Sequence, residues 1–171
     1  MPSESARVTS AAESRFRIAA ANSQPRTVKI VALDRPSEQV AERLSKLPWS
    51  RASFFTASSF GAAPAADAPP FSMQGWLKDI ASRTHDLMQE IKAADLVVMI
   101  STAGENAEAA GIIGEACRLN RVMTTALILG GASQPDAVLS KSLALLRPHA
   151  VMLVIASAEE YIEDMLTALR A

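Results

Sequence analysis

Leu96-Val97-Val98-Met99-Ile100, followed by Ser101-Thr102-Ala103-Gly104-Glu105-Asn106, decides the fold. Five consecutive apolar residues, β-branched in part and introduced by Asp95, read as a strand buried on both faces. Both faces are buried only in a parallel sheet covered by helices. The polar run that follows is then the turn between that strand and a helix over Ala107 to Leu119, where Ala110, Gly111 and Gly114 allow close packing.

The same unit recurs on both sides. Upstream, Val28 to Leu33 is a compact strand that stops at Asp34-Arg35-Pro36. Pro36 and Glu38 suit the start of a helix, Val40, Leu44 and Leu47 follow at helical spacing, and Pro48 ends it. Ala52 to Ala57, of mixed polarity, reads as an edge strand. Trp76 to Ala93 carries Leu77, Ile80, Leu87, Met88 and Ile91 on one helical face. Downstream, Val122 to Leu129 is a strand ending at Gly130-Gly131. Ser133 is placed to cap a helix with Pro135 and Asp136 in its first turn and an apolar stripe through Leu139, Leu143 and Leu146. Val151 to Ala156 is the last strand. Ser157 and Glu160 have capping-box spacing before a helix whose apolar face is Tyr161, Ile162, Met165, Leu166 and Leu169.

Such alternation implies a three-layer Rossmann-like (flavodoxin-like) α/β fold, with about five parallel strands in the order 2-1-3-4-5 and helices on both faces. Residues 1–26 read as a flexible N-terminal arm and 27–171 as one α/β domain. That domain carries a long Ala/Pro-rich loop at 58–75.

Composition excludes several chemistries. The 171 residues carry a net charge of −1, without the basic excess of a nucleic-acid binder. Cys117 is the one cysteine, so no internal disulfide and no thiol-rich metal site can form. His85 and His149 lie in no ligand-spaced motif, and no metal is expected. No run of residues has membrane-span length, and residues 1–26 lack a signal-peptide core. A cytoplasmic protein that engages neither nucleic acid nor membrane is the expectation. There is no G-x-G-x-x-G after the first strand, no Walker A sequence and no G-x-S-x-G elbow. The sequence names no catalytic residue and no cofactor.

In open parallel sheets, ligands bind beyond the carboxyl ends of the strands, at the switch point between strands one and three. That rule selects Asp34, Ser101, Thr102, Gly104, Glu105, Asn106, Gly130, Gly131 and Ser133 as candidate ligand-binding residues. Backbone N–H groups at a helix start favour an anion, while Glu105 opposes one. Asp34 would bind a ribose, a cation or an arginine, or else cap the next helix; Thr102 or Asn106 would equally cap theirs.

Two resemblances touch these residues. Ile100-Ser101-Thr102-Ala103-Gly104 resembles the phosphosugar-binding loop of sugar isomerase (SIS) domains, which implies a phosphate at Ser101, Thr102 and Gly104. Ala103 and Asn106 stand where that family has hydroxyl residues. Ala94 to Val98, with Thr102-Ala103-Gly104 and Glu108 to Arg118, is similar to the strand, phosphate loop and helix of tubulin-like bacterial division GTPases. That likeness implies a nucleotide, with one glycine in place of a glycine-rich loop.

Two functions follow as expectations. One is a small-molecule-binding domain for a phosphorylated or nucleotide-like ligand. The other is a non-catalytic subunit or regulator that lost its ligand glycines. It would hold a protein partner through the N-terminal arm and residues 58–76, where Phe60, Phe71, Met73 and Trp76 lie. The C-terminal helix stripe packs on the sheet or forms the seam of an oligomer.

Overall fold

The computed structural model of the chain describes residues 24–57, 85–157 and 159–171. The expected long loop at 58–75, the aromatic partner surface and most of the N-terminal arm lie outside them. So does the start of the helix read from Trp76.

Five strands, β1 (Val28–Ala32), β2 (Ala52–Thr56), β3 (Leu96–Thr102), β4 (Met123–Leu129) and β5 (Met152–Ala156), form one sheet in the order β2-β1-β3-β4-β5. Every pairing is parallel. The helices are α1 (Arg35–Ser45), α2 (described over residues 85–92), α3 (Ala109–Asn120), α4 (Asp136–Leu146) and α5 (Glu159–Ala168). The strand order and the edge position of β2 are those expected.

Strand alternation splits the core in two. Val28, Ile30, Leu96, Val98, Ile100 and Leu127 pack with Val40 and Leu44 of α1 and with Ile162 and Leu166 of α5. Val31, Val97, Met99, Ala126 and Ile128 meet Leu87 and Ile91 of α2, Ile113 and Cys117 of α3, and Leu146 of α4 on the opposite face. β1 is wholly buried, and β3 is buried from Leu96 to Ser101, as strands covered on both faces must be.

Lys29 is the exception on β1. Its side chain is only 9% exposed, and its Nζ donates to Glu90 Oε2 at 2.6 Å and to Ser53 Oγ at 3.3 Å. A buried ammonium without such partners would be prohibitive, so this contact fixes where α2 meets the sheet. It lies toward the amino ends of the strands, away from the candidate site.

Two expectations are corrected. Ser133 does not cap α4: it sits in a 3-10 turn, and its N–H and Oγ both donate back to Gly130 O, at 3.2 and 3.0 Å. Pro135 occupies the N-cap position instead, with no side-chain cap. Tyr161 does not join the apolar face of α5; it is 49% exposed, because Ile162 and Leu166 take the sheet-facing positions.

Gly111 and Gly114 form the packing surface read from the sequence, and what they accommodate is His149. A Cβ on Gly114 would lie 2.6 Å from His149 Cβ, whereas one on Gly111 would meet His149 Nε2 at 3.8 Å.

Cys117 is fully buried, and burial pushes its thiol up from 9.0 to about 11. A raised folded-state value means the unfolded chain ionises first. The stabilisation tied to this thiol is therefore complete below about pH 9.0 and is lost as pH rises through about 11. Native protein at neutral pH should react with a thiol reagent only as fast as it unfolds. Labelling at the rate of free cysteine would contradict that burial.

Candidate functional site

At the carboxyl end of β1, the chain must turn into α1, and Asp34 makes the turn. It is the N-cap, in extended backbone conformation, and its Oδ1 accepts from Ser37 N at 2.8 Å. Ser37 Oγ accepts in return from Asp34 N, closing a capping box. From sequence, both capping and ligand binding are open to Asp34. The structure shows capping, together with a second attachment.

That attachment crosses the switch point. Asp34 Oδ2 accepts from Thr102 N at 2.6 Å, and Oδ1 accepts from Thr102 Oγ1 at 3.0 Å. The register explains why they meet. Ala32 pairs with Ile100, so Asp34 and Thr102 stand at the same height, two residues further along adjacent parallel strands. Asp34 is 4% exposed, and both of its oxygens are engaged. The carboxylate lies against the amide of Ser37 in the first turn of α1, where the helix dipole favours an anion. This protein supplies that anion from its own chain.

The loop after β3 is similarly occupied. Ala103 N donates to Leu129 O at 2.9 Å, and Glu105 N to Thr102 O at 3.0 Å. Gly104 N donates to Ser142 Oγ of α4 at 3.0 Å, and Glu108 N to Asn106 Oδ1 at 2.9 Å. Asn106 thus closes its own turn. Gly104 needs its freedom for two reasons: its φ is +89°, and a Cβ there would lie 2.9 Å from Val138 Cγ1. This glycine serves contact with α4. Glu105 and Asn106 are exposed at the loop surface.

Ser101 stands apart. It is fully buried, and its Oγ makes no hydrogen bond within the described chain. Across β4, Gly130 has φ +68° and open space where a Cβ would sit, while Gly131 is held close to Ile155 Cγ2, at 2.6 Å from an added Cβ. The structure therefore gathers Asp34, Ser101 and Thr102 at the β1–β3 ends, and Gly130, Gly131 and Ser133 at the end of β4. Gly104, Glu105 and Asn106 lie in the loop between β3 and α3, where Gly104 meets α4.

Sequence reasoning missed Ser142. It is buried and holds the Gly104 amide, and its signal was a lone hydroxyl three residues from Leu139 on the apolar stripe of α4. Two grooves of the described surface lie elsewhere. One, of about 330 Å³, runs between α1 and β2 beside Glu38, Glu42 and Phe54; the other lies by Trp49 and Glu163. The first reaches the carboxyl ends of β1 and β2 at Ala32 and Thr56, but neither groove is lined by Asp34 or any of the other candidate ligand-binding residues. Among the described residues, no group of three His, Cys, Asp or Glu is placed to hold a metal ion. His85 is exposed on α2, and its nearest recorded partners are Gln89 and Asp86. No helix of the described residues is long and apolar enough to cross a membrane.

No protein-family model matches the sequence, and no curated protein matches it. Among solved structures, the chain is similar to a crystal structure of a probable GTP-binding protein, EngB. The TM-score is 0.53 and the identity 10%, over 84% of this chain and 98% of the other. At that identity the likeness speaks for the fold alone, an α/β arrangement with a parallel sheet and helices on both faces. It lends nothing to the phosphosugar loop.

Proposed function

We propose that this chain is a non-catalytic α/β subunit or regulator, whose fold is of a nucleotide-binding type and whose anion position is filled by its own Asp34 carboxylate. The observation that carries the proposal is the triple attachment of Asp34 to Ser37 N, Thr102 N and Thr102 Oγ1. A phosphate at the switch point would have to displace a buried carboxylate and then share the space with its charge. Like charges at hydrogen-bond distance repel by several kcal/mol at intermediate dielectric, about 4 kcal/mol at 4 Å. The amides of residues 102–105, which would otherwise cradle a phosphate, already bond within the chain.

A second reading keeps a ligand. The buried, unpartnered Ser101 hydroxyl and the open side of Gly130 favour a small molecule, nucleotide-like or phosphorylated, entering over β3 and β4 rather than at α1. The GTP-binding neighbour makes guanine nucleotides the first compounds to try.

Thermal unfolding against GTP, GDP, ATP, sugar phosphates and acyl-coenzyme A separates the two. A ligand at about 100 times its Kd stabilises by about 2.7 kcal/mol, which is roughly 5–10 °C for a domain of this size. The proposal predicts an unmoved midpoint with every compound. A dose-dependent rise that Gly130→Val abolishes would overturn it in favour of the second reading.

A further inference from the structure

We infer that the end of the sheet opposite the candidate site, centred on Arg121, is a docking surface for an acidic, partly apolar polypeptide segment. It rests on the non-catalytic reading above, to which it adds the chemistry of the partner.

Backbone strain singles out Arg121. Among the described residues, two non-glycines have positive φ, Arg121 at +57° and Arg170 at +66°. Both follow helices at the amino ends of the strands. Arg121 is the C-cap of α3, in a left-handed conformation where glycine or asparagine is ordinarily found and a Cβ is unfavourable. The helix dipole does not require it, because Arg118 in the last turn already supplies a cation. Arg118 is held by Glu115, at 2.8 and 2.6 Å, whereas the exposed Arg121 guanidinium pairs with no carboxylate among the described residues. A strained position held by an unpaired charge points to a contact outside the chain.

Arg121 belongs to a row. In sheet order, Arg51, Arg26, Lys92, Arg121 and Arg147 precede β2, β1, β3, β4 and β5, and all five are exposed. Strands about 4.8 Å apart place the five entries along roughly 19 Å, the span of about six residues of extended chain. Three aliphatic side chains stand at the β4–β5 half of the row: Leu119 is 68% exposed, Met123 53% and Val151 76%. Val151 N donates to Thr124 O, which sets Val151 beside Met123.

Charge complementarity calls for carboxylates along the row, and the aliphatics call for apolar side chains among them. A polyphosphate supplies the first and not the second, and its charge would fall on Asp95, exposed at the entrance of β3. A bilayer would meet the whole end at once, whereas the aliphatics occupy one half of it. A polypeptide segment that mixes acidic and apolar residues satisfies both demands, with its carboxylates in charge-assisted hydrogen bonds to the guanidinium groups.

The test uses the full chain without nucleotide and a fluorescent synthetic peptide of Asp-Leu-Glu-Glu repeats, followed by anisotropy. The wild-type chain should bind it with Kd on the order of 10 μM at low salt and about tenfold more weakly at about 0.5 M salt, where surface charges are screened. Arg121→Gly should melt higher, because glycine relieves the left-handed position, yet bind about tenfold more weakly, the loss of one charge-assisted hydrogen bond. Val151→Ser should melt as the wild type does and also bind more weakly. A wild-type chain that does not bind the peptide would overturn the inference, as would an Arg121→Gly chain that binds it unchanged. Arg121→Gly melting no higher than the wild type would overturn it too, because contacts within the fold would then already use the arginine. Tighter binding to an oligouridylate, or to phosphatidylcholine vesicles with about 30% phosphatidylserine, would assign the face to a different class of partner. The nucleotide titration above tests the non-catalytic reading separately: a midpoint raised by GTP bears on that reading, and peptide binding at Arg121 bears on this surface.

Discussion

Asp34→Ala is expected to lower stability by about 2–4 kcal/mol. Loss of an N-cap costs about 1 kcal/mol, and the stranded amide of half-buried Thr102 adds about 1–3 kcal/mol, the range for a donor left without its partner. Asp34 is 4% exposed, so water cannot readily replace the lost oxygens. Asp34→Asn keeps one carbonyl oxygen for Ser37 N or Thr102 N and should cost roughly half as much. Urea unfolding measures both, through a lower midpoint at an unchanged slope. A wild-type midpoint for Asp34→Ala would mean that the carboxylate does not hold β1 to β3, leaving it available to a ligand.

Two glycines one helical turn apart should respond to alanine with opposite signs. Replacing a glycine by alanine gains about 1 kcal/mol of helix propensity in a helix interior, where Gly114 lies, and less in the first turn, where Gly111 lies. At Gly111 the new methyl would meet His149 Nε2 at 3.8 Å, an ordinary contact, and the gain should appear as about 0.5–1 kcal/mol of stabilisation. At Gly114 it would lie 2.6 Å from His149 Cβ and 3.0 Å from Cγ and Nδ1. These atoms are near the backbone and cannot swing aside, so α3 must separate from the Arg147–His149 turn. Overpacking costs about 1–3 kcal/mol and outweighs the propensity gain. His149→Ala retains the offending Cβ and should not rescue Gly114→Ala; His149→Gly should. Equal stabilisation by both alanines would show that the helix and turn are not so closely apposed.

How far the sequence could be read follows from the range of each signal. The apolar run Leu96–Ile100 and its polar successor identify a buried parallel strand without any distant partner, and the alternating units around it yield the sheet. Asp34 before Arg35-Pro36-Ser37 carries a local capping signal, and that part was legible. Its hold on Thr102 spans 68 residues and depends on the register of β1 against β3, which no local pattern encodes. Ser142 reaching Gly104, Glu90 reaching Lys29 and His149 seated on Gly114 are likewise contacts between elements. Ser133 misled because a hydroxyl just before Pro135-Asp136 has cap spacing. The positive φ of Gly130 directs it back into its own turn. Tyr161 misled because periodicity alone does not say where the buried stripe of α5 ends. The phosphate-loop resemblance rested on residue types, whereas the direction and engagement of the amides determine whether a phosphate can bind.

The proposed function requires that Asp34 close the switch point from within. The most direct measurement follows the amide resonances of Ser37, Thr102 and Gly104 in ¹⁵N-labelled protein while GDP, GTP and inorganic phosphate are added. With the carboxylate in place, these amides should exchange slowly with solvent and should not move on addition of any of the three. Fast exchange at Thr102, or a saturable shift of Ser37 and Thr102 together, would contradict it, because the carboxylate would then be yielding its place to an external anion.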